Sequence, residues 1–445
     1  MKQTRFGTLS SFLLISAGLL PSGLLGQAPS PQSSSSYIDQ ARGTGVTDLV
    51  SMAFRQNAEL LATRQRLTEA QGLLRQSAFK PNPAFEASYG DGAPVGSQNF
   101  RELSIGYSHI FELGGKRARR IEVSEWGIKL AEFEIAERER QIRADVKSRY
   151  AGALAVIRNL QITEQQLGLT RETFQVTQAR VKEGEAPAVD QGLLQVEVGR
   201  LQSDRTLAES QVLREVLAIK PLVGMNLDQP LTLQGDLRGE PQGLTLAEAL
   251  ARGAASRADL GAARIEESMR EAETRSARAE AVPNLVGSIR YTRSDDLLDQ
   301  LGLNRGGAVV PIRDLDNMLT AGISIVLPAR NRNQGNIQAA EARAASARLR
   351  RQYVGQIVAQ EITAAFRRFE AARQARAIFD DTVLDRSQDN VRIIRAAYTA
   401  GELRLFDVLN EQRRLVDTQR AYTEVLREYF LSLVELERAI GAPLP

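Results

Sequence analysis

The chain has 445 residues, 43% hydrophobic and 25% charged, with 57 Lys and Arg against 54 Asp and Glu. One His and no Cys exclude thiol catalysis and Cys/His zinc, haem or iron–sulfur sites, and the interleaving of Arg with Glu argues against a nucleic-acid-binding stripe. Aromatics make up only 5%, and the abundance of Ala, Leu, Glu, Arg and Gln favours long helices over a large conventional core.

Residues 1–27 read as a signal peptide: Lys2 and Arg5 precede the apolar "LSSFLLISAGLL" at 9–20, and small residues follow. The Pro/Ser-rich stretch after it makes 28–46 a flexible segment. No later run reaches the length of a transmembrane helix, and without Cys there is no acyl anchor, so any membrane attachment must come from the fold.

The remainder repeats itself. "AELLATRQRLTEAQGLLRQSAFKPN" at 58–82 resembles "ADLGAARIEESMREAETRSARAEAVPN" at 258–284, and Gly106 placed on Gly322 keeps register through Ile121 on Ile337 and Glu125 on Glu341. We therefore read two halves, 47–221 and 246–445, joined by a connection at 222–245. Each runs helix, strand, loop, strand, very long helix, sharp turn, helix.

"PAFEASY" (83–89), "LSIGYSHIF" (103–111), "LVGSIRYT" (285–292) and "LTAGISIVL" (319–327) alternate with period two. Leu103, Ile105, Tyr107, His109 and Phe111 share one face, with Ser104, Gly106, Ser108 and Ile110 on the other. Such strands suit either a soluble hairpin or a barrel wall between lipid and a wet lumen, and the signal peptide favours the wall. Four strands cannot close alone, and an open edge cannot face lipid, so several chains must complete one barrel. The segments "GDGAPVGSQNF" and "SDDLLDQLGLNRGGAVVPIRDLDN" are then outward loops.

"FELGGKR" and "LPARNRNQG" end one strand and begin a long helix. Lacking the spacing and hydroxyl of a phosphate loop, they are structural corners, carried by Gly114, Gly115, Pro328, Asn331 and Gly335. Between Gly115 and Val181 there is no proline, and a seven-residue rhythm from Ile121 to Val181 shifts by four between Ile142 and Val146, as at a coiled-coil stutter. This predicts a rod of about 100 Å, with 337–399 as its counterpart. At the far ends, Gly184 and Gly401 allow chain reversal in "KEGEAPAVD" and "AGELRLFDVLN". Asp190 and Asp407 follow just inside the returning helices, where a carboxylate suits the helix N-terminus; capping is thus the plain alternative to any functional role.

The two corners, in order and in duplicate, together with the ending "LERAIGAPL", resemble the heavy-metal (cobalt–zinc–cadmium, CzcC-like) branch of the TolC family of outer-membrane efflux channels, over about Thr47 to Pro445. The resemblance implies a mainly α fold with a small β part: long helical hairpins form a periplasmic tunnel, and four strands per chain contribute to a trimeric twelve-stranded outer-membrane barrel. It implies the outer-membrane channel of a tripartite RND-type efflux system, a passive duct for heavy-metal cations, working as a homotrimer in outer-membrane lipid with a periplasmic adaptor and an inner-membrane pump. No enzyme activity, cofactor, resident metal or nucleic acid is expected. It further implies a periplasmic gate at Asp407, with Asn410 in place of a second aspartate, and closure links through Asp190 and Tyr398. The usual arginine aligns with Leu403, beside Arg404. Adaptor docking falls to Gly184, Glu185, Ala186, Gly401, Glu402 and Leu403. A duct for drugs or type I secretion is the alternative; a periplasmic adaptor or coiled-coil protein is disfavoured by the duplicated helix–strand–strand–helix order.

Overall fold

The computed structural model describes residues 33–95, 100–239 and 243–444; the expected signal peptide lies outside them. Helices α1 (Val46–Gln56) and α2 (Ala58–Ser77) lead into strands β1 (Ala84–Asp91) and β2 (Phe100–Phe111), followed by α3 (Lys116–Lys182) and α4 (Ala188–Val223). The plan then repeats with α5 (Leu246–Ser256), α6 (Ala258–Glu280), β3 (Leu285–Leu303), β4 (Val309–Ile325), α7 (Gln334–Ile378), α8 (Leu384–Thr399) and α9 (Leu405–Ile440).

The helix before each strand pair is broken at one residue. Asn57 caps α2 by accepting from the Leu60 N–H at 2.9 Å, and its amide donates to the Leu222 carbonyl. At the matching position Arg257 is buried and holds Asp259 at 2.6 Å and Glu361 at 2.8 Å. Burial alone would lower the Arg257 guanidinium, but these two carboxylates raise it on balance.

α3 runs for 67 residues, a rod of about 100 Å. The expected seam is fully buried from Ile142 through Val146, Ala153 and Leu160 to Leu167, and only half-buried toward both ends. The second rod is not continuous as expected: a π-helical turn, Phe379–Val383, separates α7 from α8. There Tyr422 of α9 donates to Asp380, and the Arg376–Asp380 ion pair lies alongside at 3.0 Å, so a tertiary contact fixes the irregular turn.

Two cores sit at mid-height. One joins α1, α3, α4 and α9 around Leu49, Ile157, Ile219 and Leu426; the other joins α5, α7 and α9 around Ala249, Ile362 and Leu436. The described part of the segment expected to be flexible is instead pinned to the first. Tyr37 is buried, Ser34 donates to Glu164 at 2.6 Å, and Ile38 and Thr44 both bridge to Leu233 in the connection between halves. Tyr150 donates to the Gln234 carbonyl there, and burial pushes its phenol up to about 12.

The strands form one antiparallel sheet in the order β1-β2-β3-β4. The register places Phe85, Tyr107 and Ile289 in one row and Ala87, Ile105, Tyr291 and Leu319 in the next, most of them exposed. The opposite face carries Glu86, Gly106, Arg290 and Thr320 in one row. Across the bare Gly106, Arg290 reaches Glu86 at 2.9 Å and Ser104 at 3.2 Å. β1 and β4 each leave one edge unpaired. The second outward loop is mostly strand: β3 and β4 run on to Leu303 and back from Val309, and Asn304 closes the turn by pairing with Ala308 at 2.9 Å. Alternation of apolar residues ends near Thr292, but backbone pairing with the partner strand does not need it.

Candidate functional site: the helical tips

Both hairpins reverse by the same device. Gly184 and Gly401 adopt φ of 80° and 82°, and the next residue's N–H returns to the carbonyl five back, Glu185 to Arg180 at 2.8 Å and Glu402 to Ala397 at 3.0 Å. This is the left-handed glycine closure of a helix C-terminus. Glu185 sits 3.8 Å from Arg180; Glu402, Leu403 and Gly401 are exposed, and Ala186 is half-buried.

The returning helices start differently. Asp407 accepts from the backbone N–H of Arg404 at 3.1 Å, the cap residue of α9. In α4 the cap residue is Pro187, which has no N–H to offer. Asp190 therefore has no cap donor to accept from, and its half-exposed carboxylate makes no hydrogen bond or ion pair among the described residues. Capping thus belongs to Asp407 and not to Asp190. The Arg404 guanidinium is exposed and likewise has no carboxylate partner. Asn410 lies one turn beyond Asp407 on α9, half-buried.

A small core ties the two hairpins together. Leu194 of α4 packs with Leu405 and Leu409 of α9, flanked by Phe174 of α3 and Tyr398 of α8. Tyr398 reaches α3: its hydroxyl lies 3.4 Å from Thr177 Oγ1, and the Arg180 guanidinium stands 5.7 Å from its ring centre. Among the described residues its hydroxyl makes no hydrogen bond to Asp190.

Above this core lies a polar seam that sequence reasoning missed. The Glu197 side chain, only 7% exposed, takes Arg200 at 2.6 Å from its own helix and Arg413 at 3.2 Å from α9. Buried Gln166 of α3 donates to Gln412 of α9 at 3.2 Å, and Arg420 donates to Thr163 at 3.3 Å. A cavity of about 360 Å³ opens between Glu197, Arg200, Arg413 and Arg420. The hydrogen bond from Arg200, against the opposing effect of burial, and then the charge of Arg200 and the hydrogen bond from Arg413 hold the Glu197 carboxyl below the usual range. An (i, i+3) Glu–Arg pair on a helix is common background, so nothing in sequence singled this one out.

At the corners, Gly114 and Gly115 take φ of 71° and 70°. A Cβ on Gly114 would lie 2.8 Å from Val282. In the second corner the left-handed residue is Asn333, φ 61°, where Asn331 and Gly335 were expected to carry the turn. Asn331 instead accepts from the Asn333 N–H at 3.0 Å, Gly335 is already inside α7, and Pro328 bends the chain just before.

Among the described residues no group of three or more His, Cys, Asp or Glu is placed to hold a metal ion. No described helix is long and apolar enough to cross a membrane, which leaves the sheet's role untouched.

Comparison with known proteins sets these features in context. The chain is 24% identical over 394 residues to the cobalt-zinc-cadmium resistance protein CzcC of Cupriavidus metallidurans, covering 88% of each chain. It is 27% identical over 281 residues to the nickel-cobalt-cadmium resistance protein NccC of Alcaligenes xylosoxydans xylosoxydans, 60% of this chain and 57% of that one. Its fold matches the transmembrane channel CusC with a TM-score of 0.70 at 18% identity, over 95% of this chain and 99% of the other. The Campylobacter jejuni CmeC outer membrane channel also matches at 0.70, with 15% identity over 90% and 86%. The signature of one family covers residues 49–225 and 249–442, and the chain belongs to that family, the outer membrane efflux proteins.

Proposed function

We propose that three copies of this chain assemble into the outer-membrane exit duct of a tripartite RND-type efflux system, passing divalent metal cations. The observation that carries this reading is the sheet: it is apolar and exposed on one face, polar on the other, and open at both β1 and β4. Three such sheets joined edge to edge leave no strand unpaired in lipid, and the rods continue below as a tunnel in the periplasm. The metal assignment draws on the resistance proteins to which the chain is similar.

The tips are the gate and the adaptor-docking surface in this reading. Asp190 and Arg404 are an unpaired anion and cation on the two tips of one protomer. In a closed ring, Arg404 of one copy meets the neighbouring copy's Asp190, while Asp407 and Asn410 line the narrow opening. Like charges held close attract cations there. Adaptor binding at Glu185, Ala186, Glu402 and Leu403 separates the copies, and the pump supplies the driving force.

Deletion of the gene in its own host tests this. The expected result is increased sensitivity to Co²⁺, Zn²⁺ and Cd²⁺, restored by the intact gene. Unchanged metal tolerance together with sensitivity to organic toxicants would instead assign the duct to drugs.

A further inference from the structure

We infer that the strand-to-helix corners form a basic collar that binds the headgroups of anionic phospholipids in the membrane leaflet facing the helices. The inference rests on the reading of the sheet as a barrel wall.

Several cations at the corners lack the carboxylate partners that many rod arginines hold, although Lys116, Arg119 and Arg120 there are paired. Arg200, Arg205, Arg270 and Arg348 each hold two carboxylates within 4 Å. At the corners Arg75, Lys80, Arg117, Arg330 and Arg332 are all exposed, and none has a carboxylate partner among the described residues. They gather at one level because β1 begins and β4 ends on the same side of the sheet, next to the row of Phe111, Leu285 and Ile325.

Each corner also opens a groove. The first, about 770 Å³, lies between Leu73, Phe79, Lys80 and Arg120; the second, about 630 Å³, lies between Lys116, Val326, Leu327 and Arg330. Lys116 forms a fixed wall of the second: it is buried and tied to Asn284 at 2.7 Å and Glu280 at 3.4 Å. Val326 and Leu327 continue β4 past its last paired residue and are 80% and 78% exposed. Phe79 and Leu73 are similarly bare.

Apolar side chains beside cations that lack carboxylate partners, at the foot of an apolar band, match the boundary between acyl chain and phosphate. Guanidinium groups fork onto phosphate oxygens, and the excess of cations favours a headgroup with net negative charge. A free phosphate ion would leave the grooves largely empty and the apolar surface in water, so the occupant is the lipid. The collar fastens the barrel at a fixed depth in a chain that has no cysteine for acylation.

The test uses the full chain in neutral detergent micelles and follows binding of a fluorescent phosphatidylglycerol, with phosphatidylcholine and inorganic phosphate as competitors. Phosphatidylglycerol binds preferentially. Each of Lys80→Gln, Arg330→Gln and Arg332→Gln weakens it about fivefold, while Arg367→Gln on the mid-rod surface leaves it unchanged. Equal displacement by phosphatidylcholine, or collar variants that bind like the parent, would overturn the collar. Displacement by inorganic phosphate at the same concentration would make this a phosphate site and overturn the lipid assignment. Insertion into vesicles distinguishes the two readings: a chain that enters no bilayer overturns the barrel and the collar together, whereas one that inserts without preferring anionic lipid overturns the collar alone.

Discussion

Neutralising Glu197 should loosen the two hairpins from each other. Its carboxylate is nearly sealed from water and takes Arg413 from the second hairpin at 3.2 Å, so Glu197→Gln removes a charge-assisted bond across the seam. The bare Coulomb attraction at that distance is about 5 kcal/mol for an effective dielectric of ~20. Arg413 is 55% exposed, however, and regains water when released, so the pair's coupling falls to about 1 kcal/mol. The single substitution costs about 1–3 kcal/mol, because Arg200 also loses the charge of one of its two carboxylates and keeps only Asp204. Native-state hydrogen exchange on α4 and α9 reads this as a lower local opening free energy, and a double-mutant cycle with Arg413→Gln isolates the coupling. The pH dependence follows from the sign of the shift. Glu197 is held below its unfolded value, so its contribution is complete above about pH 4.3. It is lost as pH falls through the folded value. A coupling under about 0.3 kcal/mol, within ordinary non-additivity, or one that fades near neutral pH, would refute the argument.

Other expectations follow from the same geometry. Gly114→Ala combines a left-handed φ with a 2.8 Å approach to Val282, so it costs about 2–3 kcal/mol; thermal melting checks this, and a second change, Val282→Ala, should recover part of the loss. Asp407→Ala removes the acceptor of the Arg404 N–H and lowers the stability of the α9 start by about 1 kcal/mol, whereas Asp190→Ala in an isolated protomer changes local stability by less than about 0.5 kcal/mol. Hydrogen exchange of the first turns of α4 and α9 separates the two. Leu194→Ala empties the centre of the tip core at about 2–5 kcal/mol, and limited proteolysis at both tips should accelerate together.

Where one local rule decides the structure, the sequence was readable. Both tips use glycine after a long helix, and both Asp residues follow six positions later, so reversal and helix start were visible in a dozen residues. The Asp roles were not, because they turn on whether the cap residue, Pro187 or Arg404, owns an N–H. The second corner misled for a similar reason. Gly335 and Asn331 looked suited to a left-handed angle, but Asn333 takes it, held by its side-chain bond to the Ala277 carbonyl at 2.8 Å. That contact spans 56 residues and leaves no local mark. The π turn depends on Tyr422 meeting Asp380 from another helix, and the Glu197 seam on Arg413. The first joins two helices of the second half and the second joins the two halves, and periodicity along one helix reports neither.

The most direct test of the central claim is a cryo-EM reconstruction of the detergent-extracted protein with its mass. The account predicts three chains around a threefold axis, with β1 of each paired to β4 of the next in one closed barrel above a tube of about 100 Å. A single chain in solution, with both sheet edges unpaired and the apolar face turned against its own helices, would contradict it.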